Sequence, residues 1–204
     1  MHLVHVRFFD EVYRPEDFIQ VNHPDVRDLA ARLGTVENAY AWVAENVEYP
    51  PGGSYADKHH IDCFGRGGIF NRPVFSQTVY EYWQFPSELL ARGYYTGRFM
   101  GDCEDTSILL CSLARTAGYN VHVGIGEMRG IGHAWCIYNG QILETTLSRA
   151  AAPRAPGDPY ELMGYFNELE SVETVPDTYA RVAEFARSSI KFNNEKCGIL
   201  SDLY

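Results

Sequence analysis

No two cysteines of the chain are spaced Cys-x-x-Cys, and the five present (Cys63, Cys103, Cys111, Cys136 and Cys197) are an odd number. That argues against a disulfide framework or a zinc ribbon and makes reduced thiols the expectation. Basic residues are scarce. The 17 Lys and Arg stand against 27 Asp and Glu, for a net charge of -10 with no basic run, which speaks against nucleic acid as a partner. Nothing approaches the roughly 18 consecutive apolar residues of a membrane span. The opening "MHLVHVRFFDEVYRPED" lacks the apolar core and small-residue cleavage site of a secretion signal, so a cytoplasmic protein without a membrane partner is expected. No GxxxxGK[ST], HExxH, GxSxG or EF-hand loop appears. "GIGEMRG" (124–130) has the wrong spacing for a dinucleotide loop and reads as a hairpin turn. What is present, 204 residues at 46% hydrophobic, suffices for one domain spanning 1–204.

Along that domain, "DVRDLAARLG" and "TVENAYAWVAENVEYPPG" read as N-terminal helices within 25–49, the first stopped by Gly34 and the second capped by Thr35. Residues 51–76 are rich in glycine and read as a long loop. Within it Asp57, His59, His60, Asp62 and Cys63 carry metal-ligand chemistry without paired ligand spacing, so a surface loop is the better reading. "FPSELLARG" makes a short helix closed by Gly93. The region 158–204 reads as a strand and helix extension, with a helix over "PDTYARVAEFARSSI".

"GDCEDTSILL" (101–110) opens another helix, with Asp102 as its cap, Asp105 three residues on and Gly118 as its stop. Cys103 falls in the first turn, where the positive end of the helix dipole favours a thiolate. Asp102, Glu104 and Asp105 oppose it, so activating the sulfur requires a cationic partner.

"GHAWCIY" and "QILETT" flank Asn139-Gly140, a strong two-residue hairpin signal. If Tyr138 pairs with Gln141, then His133, Trp135, Glu144 and Thr146 project from one face. His133 and Glu144 become diagonal neighbours, about 7–8 Å apart by Cα, within reach of a carboxylate orienting an imidazole. A nucleophilic triad needs that pair beside the sulfur. By the same parity Cys136 faces away, and Cys111 falls in the apolar run, so both read as packed thiols, with Cys197 grouped alongside them.

"GDCED", "GHAW" thirty positions after the cysteine, and "ETT" on the next strand together resemble the transglutaminase-like superfamily. The resemblance covers 79–147, including "YWQFPSELL", which is similar to the WQ-P-E-L segment of bacterial and archaeal transglutaminase-like cysteine proteinases. It implies an α+β, papain-like transglutaminase-core fold, in which N-terminal helices and a cysteine-bearing helix pack on an antiparallel β-sheet. It also implies Cys103 as nucleophile, His133 as base and Glu144 where most members have Asp. The oxyanion would be held by the Cys103 backbone N–H and a side-chain donor, Gln84 or Trp83, with Gln84 favoured. "YWQF" reads equally as core packing or groove lining, and Trp135 as a wall of the substrate site. No cofactor is expected. The acids Asp102 and Glu104 resemble those flanking the cysteine in calcium-dependent relatives, which makes Ca²⁺ an alternative there, although capping is the better reading of Asp102.

The function expected is a cysteine hydrolase, a peptidase or amidase, acting through a thioester on a peptide or protein substrate. Two alternatives stand beside it. One is a protein-crosslinking acyl transferase. The other is an idle scaffold serving as a component of a larger assembly, such as a virus particle, which the Asp-to-Glu departure hints at and which would make the chain virion-associated.

Overall fold

Proline and glycine mark the helix limits. α1 (Pro24–Leu33) has Pro24 at its first position and ends at Gly34, whose φ of 74° suits a residue without Cβ. α2 (Val36–Asn46) is capped by Thr35, whose hydroxyl accepts from the Asn38 amide at 3.2 Å. It leads into the short β1 (Val47–Glu48). α3 (Pro86–Thr96) runs past Gly93, the stop expected from sequence, and ends at Gly97 in the left-handed region. The reason is packing. A Cβ on Gly93 would sit 1.9 Å from the Phe99 ring, so this glycine gives passage to the side chain of β4 (Phe99–Met100) instead of ending a helix.

The computed structural model describes residues 2–50, 59–63, 75–79, 82–157, 159–182 and 191–192. Asp57, Cys197 and the helix expected over 183–190 lie outside the described residues, although helical backbone is present over 178–182. Part of the segment expected as loop is sheet. β2 (His59–Cys63) pairs antiparallel with β3 (Phe75–Val79), which also pairs with β10 (Lys191–Phe192). Composition hid these strands because the ladder that stabilises each comes from a partner distant in sequence.

α4 (Cys103–Thr116) is the axis of the fold. Every residue from Glu104 to Ala114 is buried, polar ones included, because α1, α2 and α3 cover one side and a sheet covers the other. Ile108, Leu109, Leu110 and Leu113 are fully buried, each a contribution of about 1.5–3 kcal/mol. The sheet is five-stranded and antiparallel, ordered β7-β6-β5-β8-β9. Its strands are β5 (Val121–Met128), β6 (Ile131–Tyr138), β7 (Gln141–Leu143), β8 (Tyr160–Phe166) and β9 (Ser171–Glu173). "GIGEMRG" is mostly β5, with the turn itself at Arg129 and Gly130. The chain thus has the expected α+β architecture of helices packed on an antiparallel sheet. Among the described residues no helix is long and apolar enough to cross a membrane.

Strand alternation gives the sheet two apolar faces. Val121, Val123, Ile125, Ala134, Cys136 and Phe166 join α4 in the main core. Trp135, Ile142 and Tyr160 form a smaller cluster on the opposite face. Trp135 lies over Gly124 and Gly126, and a Cβ on Gly126 would meet Glu161 O at 1.9 Å and the Trp135 ring at 2.9 Å. The register between β5 and β8 shifts at this point. Gly126→Ala is therefore expected to cost about 1–3 kcal/mol in the chemical unfolding free energy, whereas an unchanged midpoint would contradict this close approach.

Candidate active site

The β6–β7 hairpin fixes the geometry. Tyr138 pairs with Gln141, Ile137 with Ile142 and Cys136 with Leu143, the register expected from the Asn139-Gly140 turn. Asn139 and Gly140 both take the positive φ that such a turn requires. Beyond the last pair the chain continues to Glu144, which returns to the face of Trp135 and His133. There His133 Nε2 lies 2.9 Å from Glu144 Oε2, with both side chains less than one-tenth exposed.

Glu144 is held by more than the histidine. Tyr160 Oη donates to Oε2 at 2.8 Å, while the Thr146 amide and hydroxyl donate to Oε1 at 3.1 and 2.7 Å. Burial alone would raise the carboxyl's pKa. The hydrogen bond and charge of His133, with the bonds from Thr146 and Tyr160, reverse that and hold it at about 2. Tyr160, buried and bonded to this carboxylate, is pushed up to about 12.

A set of hydroxyls ties the first turn of α4 to the end of this hairpin. Thr106 Oγ1 and Ser107 Oγ each donate to Cys103 O, at 3.1 and 2.7 Å. Both also contact Thr145 Oγ1, at 2.8 and 3.0 Å. The Cys103 carbonyl is thus two hydrogen bonds from the side chain of Thr145, whose chain neighbour is Glu144. Cys103 is half-buried, and its Sγ donates to Glu104 Oε2 at 3.1 Å, a contact made by the thiol, since a thiolate has no proton to give.

The remaining expectations divide. Asp102 stands at the cap position of α4, where its carbonyl accepts from the Thr106 amide and hydroxyl, but its side chain caps no first-turn amide. Asp105 does not complete a capping box. It accepts from the Gln84 amide N–H at 2.7 Å and from Gln84 Nε2 at 2.5 Å, buried donors that take precedence over the helix end. The second Gln84 side-chain proton goes to Met100 O at 3.2 Å, so the amide expected at the oxyanion braces the start of α4. Trp83, the other donor considered, is a core residue, 1% exposed and packed against Phe18 and Phe166. Trp135 is likewise 1% exposed and lies under the His133 and Tyr160 rings, a support for the site instead of an open wall.

Cys111 and Cys136 are packed thiols whose pKa values are raised by burial, with Cys111 donating to Val121 O and Cys136 to Ser107 O. His59 stacks on Tyr82 at 4.2 Å, and burial, aided by Arg92, pushes it down to about 4. Among the described residues no three His, Cys, Asp or Glu side chains group as a metal cage. Asp102 and Glu104 would supply two carboxylates of the roughly six to eight oxygens that Ca²⁺ takes, the others coming from backbone carbonyls or water. Sequence reading missed Tyr160 and the Thr145 bridge. No local pattern could single out Tyr160, since it comes to Glu144 from another strand. Thr145 sits inside the quoted "ETT", yet its partners are on α4.

No protein-family model matches the chain. No curated protein matches it either. Among solved structures, Legionella pneumophila LapG is 15% identical, with a TM-score of 0.46 over 84% of this chain and 92% of LapG. Its calcium-bound form is 14% identical, with a TM-score of 0.45 over 74% of this chain and 75% of the other. An EGTA-treated form is 11% identical, with a TM-score of 0.41 over 84% and 95%.

Glu144 binds its proton less tightly in the folded chain than at the ordinary value of 4.5, so its ionised form stabilises the fold in full above about pH 4.5 and loses that contribution as pH falls toward about 2. In urea titrations, the stability difference between wild type and Glu144→Gln is expected to be largest at about pH 5 and above and to shrink on acidification. A difference that stays constant with pH would contradict the burial and pairing of this carboxylate.

Proposed function

We propose that the chain is a transglutaminase-like cysteine hydrolase that cleaves amide bonds of peptides or proteins, with Cys103 as nucleophile, His133 as base and Glu144 as the acid that orients it. The observation that carries the reading is the buried His133–Glu144 pair, joined through Thr145 to the turn of α4 that bears Cys103. The motif order "GDCED", "GHAW", "ETT" supports it independently.

The chemistry follows from the commitments of each group. With Nε2–H of His133 donating to Glu144, Nδ1 is left as the nitrogen that accepts a proton. Nδ1 takes the thiol proton, drawing sulfur away from Glu104, and the imidazolium formed is stabilised by the ionised Glu144. Sulfur then attacks the carbonyl carbon, forming the S–C bond. Collapse of the tetrahedral intermediate breaks the C–N bond, and the amine leaves with the proton from His133. Water, deprotonated by the same nitrogen, cleaves the thioester and returns the thiol. With Gln84 committed to Asp105 and Met100 O, the oxyanion donor proposed from this chain is the Cys103 backbone N–H, at the positive end of α4.

Incubation with a diverse peptide library, read by mass spectrometry, tests the proposal. Cys103→Ala and His133→Ala are each expected to lose cleavage by about 10³-fold or more, with Cys103→Ala keeping the wild-type circular dichroism and thermal midpoint. Cleavage that persists in Cys103→Ala would reject the assignment. A labelled primary amine added to the reaction separates hydrolysis from transfer, and no incorporation is expected.

A further inference from the structure

Glu144 is one methylene longer than the Asp that the resembled family uses, and a longer acid has one more torsion to fix before it can aim an imidazole. The structure supplies the restraint on the same face of the sheet, from a strand further along it. Tyr160, in β8, reaches across β5 and β6 to donate its hydroxyl to Oε2, the same oxygen that takes His133. That hydroxyl in turn accepts from Arg154 Nη1 at 3.3 Å. Arg154 is itself pinned beside β7, exchanging two backbone hydrogen bonds with Ile142 at 2.8 and 2.9 Å. The ring of Tyr160 rests edge-on against Trp135, which fills the space left by Gly124 and Gly126.

We propose that Tyr160, seated by Arg154 and Trp135, is a positioning residue that locks the longer Glu144 against His133, so that this site is built around a Glu–Tyr pair and is not interchangeable with the shorter Asp. The inference rests on the triad reading above. Its physical content is that each carboxylate oxygen has two donors, His133 and Tyr160 on Oε2 and the two Thr146 groups on Oε1, which leaves the acid a single orientation. The titratable and charged groups gathered about it are His133 on β6, Tyr160 on β8, Arg154 beside β7, and Tyr40 on α2, whose hydroxyl donates to Glu144 O at 2.9 Å. Burial and this hydrogen bond keep Tyr160 protonated well past neutrality, so the donor is present throughout the working range.

The test reads alkylation of Cys103 by iodoacetamide, as the mass of the labelled peptide, from about pH 5 to 9 in wild type, Tyr160→Phe, Glu144→Asp and His133→Ala. The first two variants are expected to slow labelling about tenfold at neutral pH and to move its onset toward that of a free thiol, with thermal midpoints near wild type. Glu144→Asp, although it restores the family's residue, is expected to be no better than Tyr160→Phe. If both label like wild type while His133→Ala is slow, the positioning role falls and the triad stands. If His133→Ala labels as fast as wild type, the triad reading falls, and the inference with it. Should Tyr160→Phe melt early, Arg154→Leu, at an exposed residue, takes its place, and a wild-type labelling profile there would overturn the inference.

Discussion

A carboxylate buried among apolar side chains must find donors or give up its charge, and the arrangement around Glu144 follows from that constraint. His133, Tyr160 and both polar groups of Thr146 satisfy it. Two of these donors come from β6 and β8 and two from the residues just after β7, so satisfying the acid also fixes where the end of β7, the start of β6 and β8 lie relative to one another. The pKa of about 2 expresses the same balance, since the donors outweigh a burial that acts the other way.

The second requirement is that α4 hold its first turn against Thr145, the chain neighbour of Glu144. A helix buried on nearly every side has little freedom to slide, because moving it would open voids on both the helical and the sheet side. Its polar residues then act as locators. Thr106 and Ser107 hold the Cys103 carbonyl and meet Thr145, Ser112 accepts from the Gln20 amide, and Asp105 takes the donors of Gln84. The position of Cys103 is thus set by hydroxyls and amides deep in the core, while the residue itself is only half-buried.

Much of this was legible in the chain. The hairpin register came from Asn139-Gly140 together with the period of two, and it places His133 and Glu144 on one face, where they are hydrogen-bonded. Helix limits at Gly34 and Thr35 were readable because capping is local. Gly93 misled for the opposite reason. Its glycine answers to the ring of Phe99, a contact outside the helix it belongs to. Gln84 and Trp83 misled similarly, since the motif shows polar donors but not that Asp105 and the aromatic core already hold them.

The sequence by itself determined the polarity of each element and the parity of each strand, because these depend on residues within a few positions of one another. It therefore put the acid and the imidazole on the same side of one hairpin. Only tertiary structure decided which donors complete the carboxylate, which amide braces α4 and which aromatic rings are buried. Those outcomes depend on pairs far apart in the chain, such as Tyr160 with Glu144 or Ser107 with Thr145, that meet only when β8 and α4 close on the sheet.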